Sequence, residues 1–500
     1  MKKFLSVLLS LVMILSVGVC ALAADAEIDY NITDTYEDVD WDTYNVYKAD
    51  LHSHTNASDG DNTLAEMIER HYELGFDIHA ISDHGVTSYS WTETNYHPTV
   101  KLFMMVKEGK SNIVTLDENG TASNGKNYTV ETVDGDDYYT QEGGQSMLRV
   151  PYANEQNPTS FNNAHVNTWF VDYGHGRLGG TSDYETVISA VDALGGVSVI
   201  NHPGEYTNAR DELYTADAYD KDDFFYGYYI DKFENLLLNY DSCIGIDINS
   251  KGDSRTRFDR KLWDTMLTDI APAGRNVYAI ASTDAHNLEI VNSGYVMALM
   301  ADNTSANLKE CLLSGNFFAQ SCCIGNVDEL YAYAEGLLAS ADATAQAVGA
   351  AMKADADTIS AQIEDGDQGM EFRFEEGATC VTVNAITVDN DEDTIAIDAD
   401  DALYIRWISD GNVVAEGATI DLDECENIGS YVRAEIISEG AITYTQAFLL
   451  EYDGMPEADI NEDFTDTDAA LFAPIDAFIR ALGVALEGVA DMLLGALGVV

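Results

Sequence analysis

Short apolar runs alternate with amphipathic stretches between 46 and about 303, and several of the runs end on a polar motif. The runs at 76–81, 196–200, 243–248 and 277–281 have the length of buried strands. Between the first motifs, Thr63 and Glu66 form a capping-box pattern. Leu64, Met67, Ile68 and Leu74 follow at helical spacing, and Gly75 supplies a stop. Strand, helix and strand in succession, repeated, predict a parallel α/β fold. The rhythm breaks between 86 and 150, where Gly, Asn, Asp and Tyr are frequent and no long apolar period survives. A segment of that length predicts an insertion acting as a lid or binding loop over the mouth of a site.

Beyond 326 the pattern changes twice. Residues 327–369 are Ala-rich and lack Pro, which predicts a helical linker. Residues 370–453 alternate apolar and polar positions, notably at 381–388, 402–408, 431–437 and 444–450, and predict a small antiparallel β-sandwich domain without a catalytic cluster. Residues 454–500 read as an acidic linker followed by an apolar helix. The charges of that helix, Asp476, Arg480, Glu487 and Asp491, fall on one narrow stripe. Four charges oppose a simple membrane span, so the helix is expected to dock on the protein, on a partner or at a membrane interface.

The amino terminus changes where this chain is expected to work. Lys2 and Lys3 precede an apolar run at 4–19 and small residues at 21–24, the pattern of a signal peptide over 1–23, with the α/β domain then covering 24–326. A secreted or cell-surface protein follows. With 25 basic against 87 acidic residues, the chain repels nucleic-acid backbones and anionic membranes, so no nucleic-acid polymer is expected as a partner. Outside the cytoplasm cysteines can pair, and Cys380 with Cys425 lie in one β-rich segment where a bridge is plausible.

The candidate chemistry sits where the apolar runs stop. His52 and His54 follow the run at 46–49; residues two apart on a strand face one side, and Gly60 permits a turn that swings Asp59 back toward them. His84 follows 76–81, His202 follows 196–200, and Asp284 with His286 follows 277–281. Four motifs just past predicted strand ends occupy the place where parallel α/β barrels carry active sites, and imidazole with carboxylate suits a multi-metal hydrolytic centre. Such a centre needs a bridging carboxylate and another imidazole, for which Glu155 and His165 are the available residues.

These motifs, in this order and spacing, resemble the polymerase and histidinol phosphatase (PHP) family over roughly 46–303. Leu262, Trp263 and Asp264, with Tyr431 and Arg433 farther on, look like secreted members of that family. The resemblance implies a distorted (β/α)7 TIM-like barrel holding up to three divalent cations, Zn, Mn or Fe. It implies one cation on His52, His54 and Asp284, a second on His165 and His202 with Glu155 bridging the two, and a third on Asp59, His84 and His286. Asp247 stands where a glutamate is more usual and is not among the ligands carried over.

The expected activity is hydrolysis of a small phosphomonoester or phosphodiester by a metal-bridged hydroxide, with Glu155 and Asp284 in the catalytic centre. His175, in a glycine-rich loop, is a candidate to meet phosphate or protonate a leaving group. Lys48, Arg177 and Arg255 are candidate phosphate clamps. His71, His79 and His97 are read as structural or exposed. Two other readings are an amidohydrolase-type enzyme on the same barrel and a non-catalytic surface module.

Overall fold

The computed structural model describes residues 28–93, 95–108, 115–156, 164–177, 184–205, 224–253, 256–364 and 371–499. The signal-peptide reading of 1–23 and the candidate Arg255 lie outside these residues.

The architecture is mixed α/β. A five-stranded sheet runs in the order Tyr278–Ala281, Cys243–Asn249, Val197–Ile200, Val166–Trp169, Asn154–Gln156. The first three are parallel, as the buried apolar runs predict, whereas Val166–Trp169 is antiparallel to both of its neighbours. A fourteen-stranded sheet contains Asn45–Asp50 beside Ile78–His79, parallel to each other. Two single-residue bridges join the sheets, Ser53 with Ala285 and His84 with Glu155. Both bridges fall inside the chemical motifs, so the seams between the sheets are lined by the candidate ligands. The helix Leu64–Glu73 forms as its sequence dictates, with the Thr63 side chain accepting from Glu66 N–H and Glu66 accepting from Thr63 N–H.

Three expectations are revised. The 86–150 segment is not a single lid. Its strands Asn127–Val133, Asp136–Gln141 and Ser146–Arg149 form an antiparallel meander that extends the large sheet outward, the last pairing with Ile78–His79. Tyr128, Tyr139 and Met147 then close an apolar cluster with Met67 and Ile68 of the first helix. The helix Pro98–Glu108 turns toward the site, where Lys101 donates to the Asn56 carbonyl.

The β-rich segment is not a separate sandwich. Ile442–Tyr444 pairs with Phe317–Ser321, so the large sheet continues from the α/β part into the carboxyl-terminal part. Asn31–Thr33, from the other end of the chain, pairs with Phe448–Glu451. A three-stranded sheet formed by Thr382–Asp389, Thr394–Asp400 and Thr419–Asp421 packs its Ile386, Ile395 and Ile397 against Trp407, Val432 and Phe448. The helices Val327–Ala339 and Ala343–Glu364 are no tether either: Leu330, Tyr333, Met352 and Ile359 lie in the same core as Trp263 and Tyr444.

Cys380 and Cys425 are both free thiols. Cys380 Sγ faces the Tyr295 hydroxyl at 3.8 Å, while Cys425 Sγ donates to the Asp421 carbonyl at 3.1 Å, so the two point to different neighbours. The terminal helix Thr467–Leu497 docks on Pro98–Glu108. Ile479 packs against Val100 and Met104, and the Thr99 hydroxyl donates to the Gly483 carbonyl at 2.7 Å. Phe478, Val484, Met492 and Leu497 remain exposed on its outer side. Among the described residues no helix is long and apolar enough to cross a membrane.

Candidate metal centre

Strand direction explains how ligands distant in sequence meet. His52 and His54 follow Asn45–Asp50, His84 follows Ile78–His79, His202 follows Val197–Ile200, and Asp284 and His286 follow Tyr278–Ala281. His165 precedes its strand, but that strand is antiparallel and Val166 pairs with Ile200, so its amino end lies at the same rim. Glu155, in the edge strand of the smaller sheet, pairs with Asn167 and bridges to His84.

All nine candidate ligands converge there. His52 Nε2 and His54 Nε2 are 3.1 Å apart. Asp284 Oδ1 lies 3.2 and 3.0 Å from them, and Glu155 Oε2 lies 3.3 and 3.1 Å from them. Glu155 divides its two oxygens. Oε2 also faces His84 Nδ1 at 3.3 Å, whereas Oε1 faces His165 Nδ1 at 2.8 Å and His202 Nε2 at 3.3 Å and accepts from Asn201 Nδ2 at 2.8 Å. Asp59 approaches His54, His84 and His286 at 3.6, 3.6 and 3.4 Å. Three overlapping groups have geometry that can hold an ion: His52, His54, Glu155 and Asp284; His84, Glu155 and His165; His54, Asp59, His84 and His286.

The donor set fits divalent cations. Imidazole lone pairs and carboxylates packed this closely and largely buried repel one another unless protons or metal ions stand between them. In the metal-free chain the electrostatics of the cluster favour protons in that role. Burial opposes charging of His54, yet Asp284, Glu155 and Asp59 outweigh it and hold its pKa well above the ordinary value. Burial likewise opposes ionisation of Glu155, but His165, His52 and His84 hold it well below the ordinary carboxylate range. Asp284 is also held low against its burial, by Lys251, His52 and His286. Burial pushes His84 down to about 3, and burial together with Lys251 pushes His202 to about 4, leaving both rings neutral and ready to ligate.

A second layer orients the first. Asp83 accepts from Thr55 N–H at 2.8 Å, from the Thr55 hydroxyl at 2.6 Å and from the Ser58 hydroxyl at 2.6 Å, which shapes the turn that carries Asp59. Asp50 ties His71 Nε2 at 2.8 Å to Thr283 beside Asp284. His79 meets the Ser53 hydroxyl at 2.8 Å and stacks on His71 at 3.6 Å. The reading of His71 and His79 as structural matches these buried contacts. Asp247 accepts from Ser282 at 2.5 Å and from Asn249 N–H at 3.2 Å, and burial raises its pKa well above the ordinary value. It braces the strand ends and stands outside the three ligand groups.

Of the described candidate basic residues, Lys48 turns away from the ligand groups, and Arg177 stands on the loop beside Gly85. Lys48 is directed to the Leu74 carbonyl at 3.2 Å and to Asn292, with its ammonium over the Phe76 and Tyr295 rings. Burial lowers its pKa. Arg177 is exposed and lies over the Tyr173 ring. His175 rests on the loop beside Gly85, and its ring accepts from Thr87 N–H at 3.3 Å and faces Tyr89 and His97. Among the described residues, the Lys or Arg that enters the site is Lys251, whose Nζ lies 3.2 Å from Asp284 Oδ2 and 2.6 Å from Glu205 Oε2. Sequence reasoning passed over both. Their one signal was position, each lying two or three residues beyond a site strand or motif.

No family model matches the chain, and no curated protein matches it. Among solved structures it is similar to a two-domain protein from Bacteroides vulgatus containing a predicted PHP-like metal-dependent phosphoesterase. That likeness has a TM-score of 0.33 and 11% identity over 85% of this chain and 94% of that one. It is also similar to PsfC from Pseudomonas syringae, with a TM-score of 0.31 and 14% identity over 53% and 88% of the two chains. A third similar structure is a lesion-specific endonuclease from Pyrococcus furiosus, with a TM-score of 0.29 and 11% identity over 53% and 55%. At these scores the chemistry of the site is carried by its own geometry.

Proposed function

We propose that this chain is a secreted, metal-dependent phosphoesterase of the PHP type, hydrolysing a small phosphomonoester or phosphodiester at a trinuclear site. The observation that carries the reading is Glu155, which turns one oxygen to His52, His54 and His84 and the other to His165 and His202. A carboxylate shared in this way is what a pair of adjacent cations requires. His52, His54, Glu155 and Asp284 would hold one ion, Glu155, His165 and His202 a second, and His54 or His84 with Asp59 and His286 a third. Zn, Mn or Fe suits this mixture of nitrogen and oxygen donors. Bound cations supply Lewis acidity toward phosphoryl oxygens and lower the pKa of water.

The chain's own residues do the remaining work. Glu155 and Asp284 stay ionised despite burial, so they bring fixed negative charge to the ions without a proton to lose. Asn201 orients Glu155, and Asp83 fixes the turn of Asp59. The two inter-sheet bridges support reading the strand circuit as a distorted (β/α)7 ring open to solvent at this rim. Secretion rests on the pattern at 1–23, and the surplus of acidic residues favours a small substrate over a nucleic-acid polymer.

The test is hydrolysis of p-nitrophenyl phosphate and bis(p-nitrophenyl) phosphate by protein loaded with Mn or Zn, beside an amide panel. Phosphate-ester turnover with two or more metals per chain is the expected result. In the His52→Ala/His54→Ala variant it should fall by about a thousandfold or more, the scale of several kcal/mol of lost transition-state stabilisation. Amide turnover without ester turnover would move the reading to an amidohydrolase.

A further inference from the structure

The loop after Cys243–Asn249 is held in an unusual conformation. Lys251, Gly252 and Asp253 all have positive φ, at 52°, 70° and 63°, a backbone region that costs roughly 1 kcal/mol or more for each non-glycine residue. Fully buried contacts enforce it. Asp253 pairs with Arg260 at 2.8 Å and accepts from Gly325 N–H at 2.6 Å and from the Thr256 hydroxyl at 3.0 Å. Lys251 N–H donates to the Thr283 carbonyl at 3.2 Å, next to Asp284. The result is an ammonium aimed into the rim of the cluster, with the side chain still 19% exposed.

Its partners define what it can do. Asp284 turns Oδ1 to His52 and His54 and Oδ2 to Lys251, so the lysine lies one carboxylate away from the ligand group. Glu205, from the turn after His202, grips the same ammonium at 2.6 Å. Among the described residues, Lys251 is the Lys or Arg within ion-pair distance of a cluster carboxylate. Bound cations would compete with the lysine for Asp284, and the ammonium, still held by Glu205, would present its remaining N–H bonds at the rim of the cluster.

We propose that Lys251 is a substrate-anchoring residue that binds an anionic phosphoryl oxygen, that Glu205 positions it, and that the site thereby favours phosphomonoesters over diesters. This rests on the phosphoesterase reading. A monoester dianion carries one more anionic oxygen than a diester, and a fixed ammonium rewards that charge.

Three measurements on full-length, Mn-loaded protein test it: inorganic phosphate binding by calorimetry, kinetics on the two p-nitrophenyl esters, and metal content. In Lys251→Met, phosphate affinity and monoester kcat/KM should each fall by about 10- to 100-fold, diester kcat/KM should fall less, and metal content should be unchanged. Lys251→Arg should restore part of the phosphate affinity. An equal loss on both esters, unaltered phosphate binding or loss of metal in Lys251→Met would each overturn the assignment, as would wild-type protein that binds no phosphate. If wild-type protein binds phosphate through Lys251 yet hydrolyses neither ester, the phosphoesterase reading fails and the anion site stands.

Discussion

Two of the dense clusters of buried charge among the described residues are built in opposite ways. In the first, Arg433 meets both oxygens of Asp264 at 2.8 and 2.7 Å and Glu435 at 2.7 Å, while Arg406 meets Glu435 at 2.6 Å. The Tyr431 and Tyr333 hydroxyls donate to the same two carboxylates at 2.8 and 3.0 Å. Each carboxylate there is met by guanidinium forks and phenols, so charge is balanced from within. In the second, Glu155, Asp284 and Asp59 meet mainly imidazoles, whose nitrogens crowd toward shared oxygens. Burial alone therefore does not mark a functional site. The distinguishing feature is whether the partners are permanent cations or lone-pair donors awaiting one.

The sharpest way to break that contrast is to open the balanced cluster. Asp264→Ala leaves Arg433 buried beside Trp263 with only Glu435, and should cost about 3–5 kcal/mol of stability by thermal or urea unfolding. Replacing both partners, Asp264→Leu with Arg433→Met, should recover most of the loss. Metal content of the folded fraction should not change in either variant. If Asp264→Ala instead released metal and left stability intact, the two clusters would be one functional unit and the comparison would collapse.

The same contrast explains what the sequence made legible. His52, His54, His84, His202, Asp284 and His286 were readable because they follow apolar runs, and Asp59 because Gly60 permits the turn that carries it back. Glu155 and His165 were the weakest inference, since their strands are short and antiparallel, a reversal that spacing does not reveal. Asp264, Tyr431 and Arg433 stood out as motifs, but their meeting needed the continuous sheet, and nothing local announces that Ile442–Tyr444 pairs with Phe317–Ser321. Lys48 was misassigned because a lysine on the strand leading to His52 looked well placed, whereas its side chain turns to Phe76 and Tyr295. Lys251 was missed because a loop with three left-handed residues leaves no periodic trace.

A smaller effect should separate the parts of the metal cluster. Asp83 shapes the turn of Asp59 but touches no oxygen of Glu155 or Asp284. Asp83→Asn sets an amide against Thr55 and Ser58 and should loosen the group of His54, Asp59, His84 and His286 alone. Elemental analysis should show about one metal fewer per chain, and esterase activity should fall about 10- to 100-fold, the usual cost of losing an outer-layer partner. Full metal content with unaltered activity would mean that Asp59 is held by its ligand contacts and that Asp83 serves folding.

The last difference is in pH. In the metal-free chain His54 is held above its ordinary value of 6.5 by Asp284, Glu155 and Asp59 against the opposing effect of burial, and Asp59 raises His286 against burial as well. A raised folded pKa stabilises fully below the unfolded value and loses that contribution as pH rises through the folded one. Cations replace these protons, so the increase in Tm on adding Mn should be larger at about pH 8 than at about pH 6. The balanced cluster behaves otherwise. Although burial opposes it, Arg406 and Arg433 hold Glu435 down to about 2, so its contribution is complete above 4.5 and is lost only as pH falls toward 2. Between about pH 6 and pH 8 it is flat. The pH dependence of metal stabilisation should therefore persist in the Asp264→Leu/Arg433→Met background and vanish in His54→Ala/His286→Ala. A metal-induced Tm shift equal at both pH values in the unsubstituted protein would show that protons do not occupy the cluster in the cation's place.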